Sequence, residues 1–319
     1  MSTATIKIVG LGGLGCRIVH GLMGRLKPSI RLIAVDSDHD FLSNINAHSR
    51  VLIGNKIEKG QDLQENNEHG KLAASERNDK LLVTVREADM LFLLAGMGGH
   101  VGTRAVTEVA RIAREAGALT VAMVTKPFTF EGTCRNTVAE NGLALLKDSA
   151  DTIIVLSNNR VIPMISPQSR DTSSFNIVDP LLIKLVKNAA VGLTGVITEP
   201  PLICISFNDV KEILSNAGYA YMGTGYGSGK QRAINAARAA IESPLLGALL
   251  LRKATRIMVI IRIGLDGTIY DDIRAASDQI AEAVNPEANI IVGGLIEHSK
   301  IDFIHVTLIA TGFRDETAL

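Results

Sequence analysis

Leu94-Ala95-Gly96-Met97-Gly98-Gly99-His100-Val101-Gly102-Thr103 is the stretch from which the rest of the chain can be read. An apolar run, Met90 to Leu94, leads into it, and a helical pattern, Ala105 to Ala116, follows. A buried strand that ends in glycines at the start of a helix can cradle phosphate. Glycines let backbone N–H groups point inward without side-chain obstruction, and the helix N-terminus adds partial positive charge. A second loop of the same kind lies upstream. Ile6 to Val9 reads as a buried strand, Gly10-Leu11-Gly12-Gly13-Leu14-Gly15 follows, and a helix is expected from Arg17 to Leu26. Arg31 to Val35 is the next strand and ends at Asp36-Ser37-Asp38. An acid about 20 residues past such glycines is the dinucleotide-fold pattern, which makes Asp38 a candidate ligand-binding residue.

Val51 to Ile53 reads as a short third strand, and the polar stretch Lys56 to Arg77 as a loop entering a helix. Met90 to Leu94 and Leu119 to Val124 flank one helix; Cys134 to Lys147 is a second. Thr152 to Leu156 forms a sixth strand, ending at Ser157-Asn158-Asn159-Arg160. Continuous apolar strands alternating with helices imply a parallel sheet covered on both faces. Val161 to Ser174 lacks periodicity and reads as a loop. Asp179-Pro180 suggests an N-cap followed by proline at the first position of a long helix reaching Val196. Beyond it, Ile203 to Phe207, Arg256 to Ile263, Ile290 to Gly293 and Phe303 to Ile309 are strand-like, with helices at Gln231 to Glu242 and Asp271 to Val284. The expected fold is α/β. A parallel-sheet, Rossmann-like nucleotide domain occupies 1–178, a central helix with its following loop 179–208, and a smaller α+β domain 209–319.

With 319 residues, 46% of them hydrophobic, the chain can bury a sizeable core in two domains. Lys+Arg and Asp+Glu both number 33, so no basic excess points to nucleic acid or to an anionic membrane. The N-terminus lacks the apolar core of a signal peptide, and no apolar run is long enough to span a bilayer. Cys16, Cys134 and Cys204 are scattered, as expected of reduced thiols in a cytoplasm, and the histidines show no metal-ligand spacing.

Two phosphate loops followed by a long helix and a second domain resemble the tubulin/FtsZ superfamily. The local matches run in order along nearly the whole chain and favour FtsZ-like members. They include Ala95-Gly96-Met97-Gly98-Gly99, Gly117-Ala118-Leu119-Thr120, Thr125-Lys126-Pro127-Phe128 and Phe130-Glu131-Gly132. Ser243-Pro244-Leu245-Leu246, Asn285-Pro286-Glu287-Ala288-Asn289-Ile290-Ile291 and Ala310-Thr311-Gly312-Phe313 complete the series. The resemblance implies GTP or GDP as the bound nucleotide, with Mg accompanying it. It also implies head-to-tail assembly of the chain with itself, each copy's loop after the central helix reaching the next copy's nucleotide. Other FtsZ-like filaments or division proteins are implied as further partners, with no nucleic acid and no direct membrane insertion. Beyond the position of Phe313 the family usually continues to a peptide that binds membrane adaptors; here Arg314 to Leu319 follow.

Residue by residue, the resemblance places Gly12, Gly13, Gly15, Cys16 and Arg17 in the first phosphate loop. Gly96, Gly98, Gly99, Gly102, Thr103 and Arg104 fall in the second. Pro127, Glu131 and Arg135 fall at the ribose and base region, and Asn158 at the base. Arg17 and Arg104 are additions that could pair with phosphate or point outward. Counted forward from Asn158, Phe175 takes the stacking position and Asp179 the base-reading one; counted back from the helix end, the reading position falls on Lys184. The loop that senses the third phosphate is altered to Gly60-Gln61-Asp62-Leu63-Gln64-Glu65-Asn66-Asn67. A carboxylate about 4 Å from phosphate, at an effective dielectric of about 20, costs about 4 kcal/mol before screening. GTP and GDP are therefore expected to bind with similar affinity. In Leu202-Ile203-Cys204-Ile205-Ser206-Phe207-Asn208-Asp209, Cys204 and Ser206 replace the family's asparagine and first aspartate. Only Asp209 remains as a candidate catalytic residue, unless it merely caps the helix that follows. Each lost polar group can cost about 10²- to 10⁴-fold in rate, so slow or impaired hydrolysis is expected. A non-hydrolysing scaffold acting through partners is the competing reading. The glycines with Asp36 would also suit a Rossmann dehydrogenase, which the second glycine loop disfavours.

Overall fold

Strands made of unbroken apolar sequence form where both faces of a sheet are covered, and a computed structural model shows this for the first half of the chain. It describes residues 4–53, 79–82, 84–161, 175–198, 202–246, 248–265, 269–298 and 302–313. The chain divides into two compact units, Thr5–Asp151 and Thr152–Leu319, the second joined by Met1–Ala4. The division falls earlier than the 178/179 boundary expected from composition, and the sixth strand and the central helix belong to the second unit.

In the first unit, β1 (Ile6–Leu11), β2 (Arg31–Asp36), β3 (Ser49–Leu52), β4 (Met90–Gly96) and β5 (Leu119–Lys126) lie in the order β3-β2-β1-β4-β5. All pairs are parallel, and Leu11 stands beside Val35 on one side and Ala95 on the other. The helices α1 (Gly12–Leu22), α2 (His100–Glu115) and α3 (Thr133–Ser149) follow β1, β4 and β5. The chain steps outward from β1 through β2 to β3, then resumes on the other side of β1 with β4. At such a reversal the two connections leave in opposite directions and open a crevice beyond the strand ends. Both glycine loops lie at this reversal.

α1 begins at Gly12 and ends at Leu22, not over Arg17 to Leu26 as expected. The glycine loop supplies its first turn, and Gly24, at φ +70°, stands just past its end.

The second unit contains β6 (Thr152–Ser157), the central helix α4 (Phe175–Thr198), α5 (Phe207–Leu214) and β7 (Gly218–Gly227). It continues with α6 (Arg232–Ile241), β8 (Arg256–Gly264), α7 (Ile269–Ala283), β9 (Asn289–Glu297) and β10 (Ile304–Thr311). The strand order is β6-β7-β10-β8-β9; β7/β10 and β10/β8 are antiparallel, whereas β6/β7 and β8/β9 are parallel. Its core gathers Ile257, Val259, Ile261, Val306 and Leu308 from the sheet against Ala236, Ala240, Ala276 and Ile280 from α6 and α7.

Three expectations need correction here. Ile203 to Phe207 is not a strand: Ile203 makes an isolated bridge to Gly294, and α5 starts at Phe207 because Ser206 caps it. Asp179 is not an N-cap, since α4 starts at Phe175 and carries Pro180 inside. The proline removes one N–H near the start of the helix, a loss that the remaining turns can bear. β7 was not anticipated at all. Four glycines weaken its strand signal, but three of them are there for packing. A Cβ on Gly225 would lie 1.9 Å from the Ala236 carbonyl oxygen, and one on Gly223 2.1 Å from that of Ala240. Helix α6 therefore rests directly on the backbone of β7.

Candidate functional site

The two glycine loops are built around each other at the strand reversal of the first unit. Gly12 adopts φ +73°, a backbone region that side chains disfavour, and a Cβ there would meet the Gly102 nitrogen at 2.9 Å. A Cβ on Gly15 would lie 2.1 Å from the Leu94 carbonyl oxygen, and one on Gly102 2.6 Å from that of Gly96. The loops are thus packed backbone to backbone, with α1 and α2 starting there and presenting their unpaired N–H groups. Gly99 differs from the others: it is the N-cap of α2, at φ −97° and ψ 152°, and a Cβ on it would meet nothing within 4 Å. It faces open space at the mouth of the cradle.

Side chains hold this shape. The Thr103 hydroxyl accepts from the Gly98 N–H at 3.0 Å, and the Met97 N–H donates to the Thr125 carbonyl at 2.9 Å. Thr103 is buried, so its hydroxyl shapes the loop. Along the next connection, Glu131 accepts from the Phe128 N–H at 2.8 Å and pairs with Arg135 at 2.7 Å. Asn136 donates to the carbonyls of Phe128 and Gly132. Pro127 is buried, while Phe130 is exposed and stacks on Phe128 at 4.8 Å. Asn136 was not anticipated from the sequence, nor was Gly142, where a Cβ would strike Thr103 Cγ2 at 2.2 Å. A glycine inside a helix was the only signal that could have flagged the second.

The other sequence-derived residues divide. Cys16 lies on α1, but its thiol is fully buried and donates weakly to the carbonyls of Gly10 and Val35. Burial pushes that thiol up to about 12, with the Asp36 carboxylate adding to the shift. Its side chain thus belongs to the core, and only its backbone is available to a ligand. Asp38 caps the short helix His39–Ser43 by accepting from the Phe41 N–H at 2.9 Å. Asp36 is buried, its carboxyl raised by desolvation and steadied by the N–H groups of Ser37 and Asp38. Arg17 and Arg104 are both exposed, and Arg17 Nη1 would be 3.8 Å from a Cβ on Gly13, so its guanidinium lies back over the loop.

In the second unit, Asn158 Oδ1 is buried without a hydrogen-bond partner among the described residues, as an atom reserved for a ligand would be. Lys184 is exposed on α4; the Asp179 side chain and the loop Gly60 to Asn67 lie outside the described residues.

The loop ending at Asp209 is tied down at both ends. The Leu202 and Ile203 N–H groups donate to the Gly294 carbonyl at 2.8 and 3.3 Å, and the Gly294 N–H donates back to Ile203 at 3.1 Å. At the other end Ser206 and Asp209 form a capping box. The Asp209 carboxylate accepts from the Ser206 N–H at 2.7 Å, and the Ser206 hydroxyl accepts from the Asp209 N–H at 3.2 Å. Cys204 is exposed between them. Among the described residues no group of three or more His, Cys, Asp or Glu is placed to hold a metal ion.

Residues 5–166 match the Tubulin/FtsZ family GTPase domain, and residues 218–314 match the FtsZ family C-terminal domain. The chain is similar to FtsZ of M. jannaschii, solved as an empty dimer, at 32% identity. That match covers 98% of this chain and 89% of that one, with a TM-score of 0.84. It shares its fold with CetZ2 from Haloferax volcanii, solved as a GTPγS-bound protofilament. Identity there is 17%, 98% of this chain and 94% of that one are covered, and the TM-score is 0.74. TubZ of Bacillus thuringiensis serovar israelensis, solved as GDP-form protofilaments, shares the fold at 14% identity. The match covers 97% of this chain and 86% of that one, with a TM-score of 0.72.

Proposed function

This chain belongs to the tubulin/FtsZ family, and from that premise we propose that it is a cytoplasmic, guanine-nucleotide-binding filament protein whose copies stack head to tail, with slow or impaired GTP hydrolysis where they meet. The observation that carries this reading is the pair of glycine loops packed backbone to backbone at the strand reversal. They leave helix N-termini suited to a polyphosphate, and a Cβ on Gly99 would meet nothing within 4 Å. Bound GTP with Mg²⁺ would supply the phosphoanhydride to be cleaved. The chain's own part is to hold it. Backbone N–H groups of both loops take the phosphates, and Glu131 and Arg135 serve the ribose; in the other unit, Asn158 Oδ1, buried without a partner among the described residues, is suited by itself to accept from an N–H.

Impaired hydrolysis rests on the other loop. Activating water needs a well-placed acceptor, yet Asp209 is the one carboxylate from Leu202 to Asp209, and it is engaged in its capping box. Because contacts of the head-to-tail kind do not close on themselves, they extend into filaments. Sedimentation with GTP, with GDP and without nucleotide, alongside phosphate release, tests the whole reading. The expected result is nucleotide-dependent pelleting with little released phosphate. The locked Asp209 also favours a second reading, a scaffold that never hydrolyses and acts through partners such as other FtsZ-like filaments or division proteins. Turnover that rises with protein concentration would exclude it.

A further inference from the structure

We propose that the two sides of the subunit contact are unequal in this chain, so that rapid hydrolysis requires a second tubulin/FtsZ-type polypeptide whose loop bears an asparagine and an aspartate where this chain has Cys204 and Ser206. The inference rests on the head-to-tail reading above and goes further by assigning the missing chemistry to a partner.

Two observations, one from each unit, carry it. The cradle keeps its working parts. Gly12, Gly15 and Gly102 sit where any side chain would collide with backbone, and the Thr103 hydroxyl fixes the turn at Gly98. The loop, by contrast, has kept its architecture and lost its chemistry. Backbone bonds to Gly294 anchor one end and the Ser206–Asp209 capping box the other, while Ile205 is buried between them. Leu202, Cys204 and Asn208 face outward, and none of them can take a proton from water as a carboxylate does. Such a loop is ordered enough to dock against a neighbour but does not activate water. In a filament of this chain alone, every sound cradle meets a poor loop. In a mixed filament, contacts where the partner donates the loop are active, and contacts where this chain donates it stay silent. The effect therefore has a direction along the filament.

Complementation between two forms of this chain tests the idea directly. One is the unmodified chain. The other carries Cys204→Asn and Ser206→Asp, which restore the loop, together with Gly99→Asp, which places a carboxylate at the cradle mouth. Aspartate is a good N-cap at both Gly99 and Ser206, and Gly99 has open space, so the fold should survive; thermal melts check this. A form with Ser206→Asp and Gly99→Asp alone serves as the milder alternative. Each form alone should release little phosphate from GTP. The equimolar mixture should pellet both forms together and release phosphate at least about tenfold faster than the sum of the two. Joint pelleting without that gain overturns the inference while leaving the filament reading intact. Failure of the unmodified chain to pellet with any nucleotide overturns both, and fast turnover by the unmodified chain alone overturns the inference.

Discussion

Cys16 shows how a residue can lie in a binding loop by sequence and in the core by structure. Its thiol stays protonated because burial and the nearby Asp36 carboxylate disfavour the thiolate, raising it from 9.0 to about 12. Between those values an unfolded chain has given up the proton and the folded chain must keep it, so stability falls as pH rises from about 9 to 12. Denaturant titrations across that window should show the loss, and Cys16→Ala should reduce it. At pH 8 an alkylating reagent should label Cys134 and Cys204, both exposed, and spare Cys16 until the protein unfolds. Ser206 gives a second prediction at this scale. Ser206→Ala removes the acceptor for the Asp209 N–H and should lower stability by about 1 kcal/mol in chemical denaturation.

Among the elements, those dominated by burial were legible and those dominated by close approach were not. β1, β2, β4 and β5 are short, mostly apolar runs, with glycine loops after β1 and β4, and their continuity between helical patterns identifies them. β7 reads poorly because Gly218, Gly223, Gly225 and Gly227 carry no hydrophobic signal. The meaning of Gly223, Gly225 and Gly227 lies in α6, whose backbone at Ala240, Ala236 and Arg232 presses onto the strand. Spacing of two among the glycines, set against small residues on the next helix, was the available clue. Gly225→Val should cost at least about 3 kcal/mol or prevent folding, because the obstructing atoms are backbone and cannot turn aside. Gly99→Asp, with nothing within 4 Å, should leave the melting temperature unchanged. The two glycine loops stand out in the sequence because each follows an apolar strand and opens a helix. The engagement of Asp38 as a cap does not, since a carboxylate beyond a strand looks the same whether it caps a helix or binds a ribose.

For the molecule as a whole, the bound nucleotide should act as a stabiliser of the folded chain. Free ligand at about 100 times its Kd adds about 2.7 kcal/mol, provided it does not bind the unfolded state. Calorimetric scans should therefore show a higher melting temperature with GDP or GTP, by similar amounts for the two, and no gain for the Gly99→Asp form. Which family the chain belongs to was legible because matches recur along its length. Its chemistry was harder to read, because in the reading proposed above it turns on two positions, Cys204 and Ser206.

β9 is the last strand of its sheet, and an outermost strand offers unpaired N–H and C=O groups to any other extended chain. The bridge from Ile203 to Gly294 occupies part of that rim with the protein's own backbone. A chain that associates with copies of itself, as proposed above, has particular need of this. Sealing the rim discourages amyloid-like strand addition and leaves self-association to surfaces that can separate again.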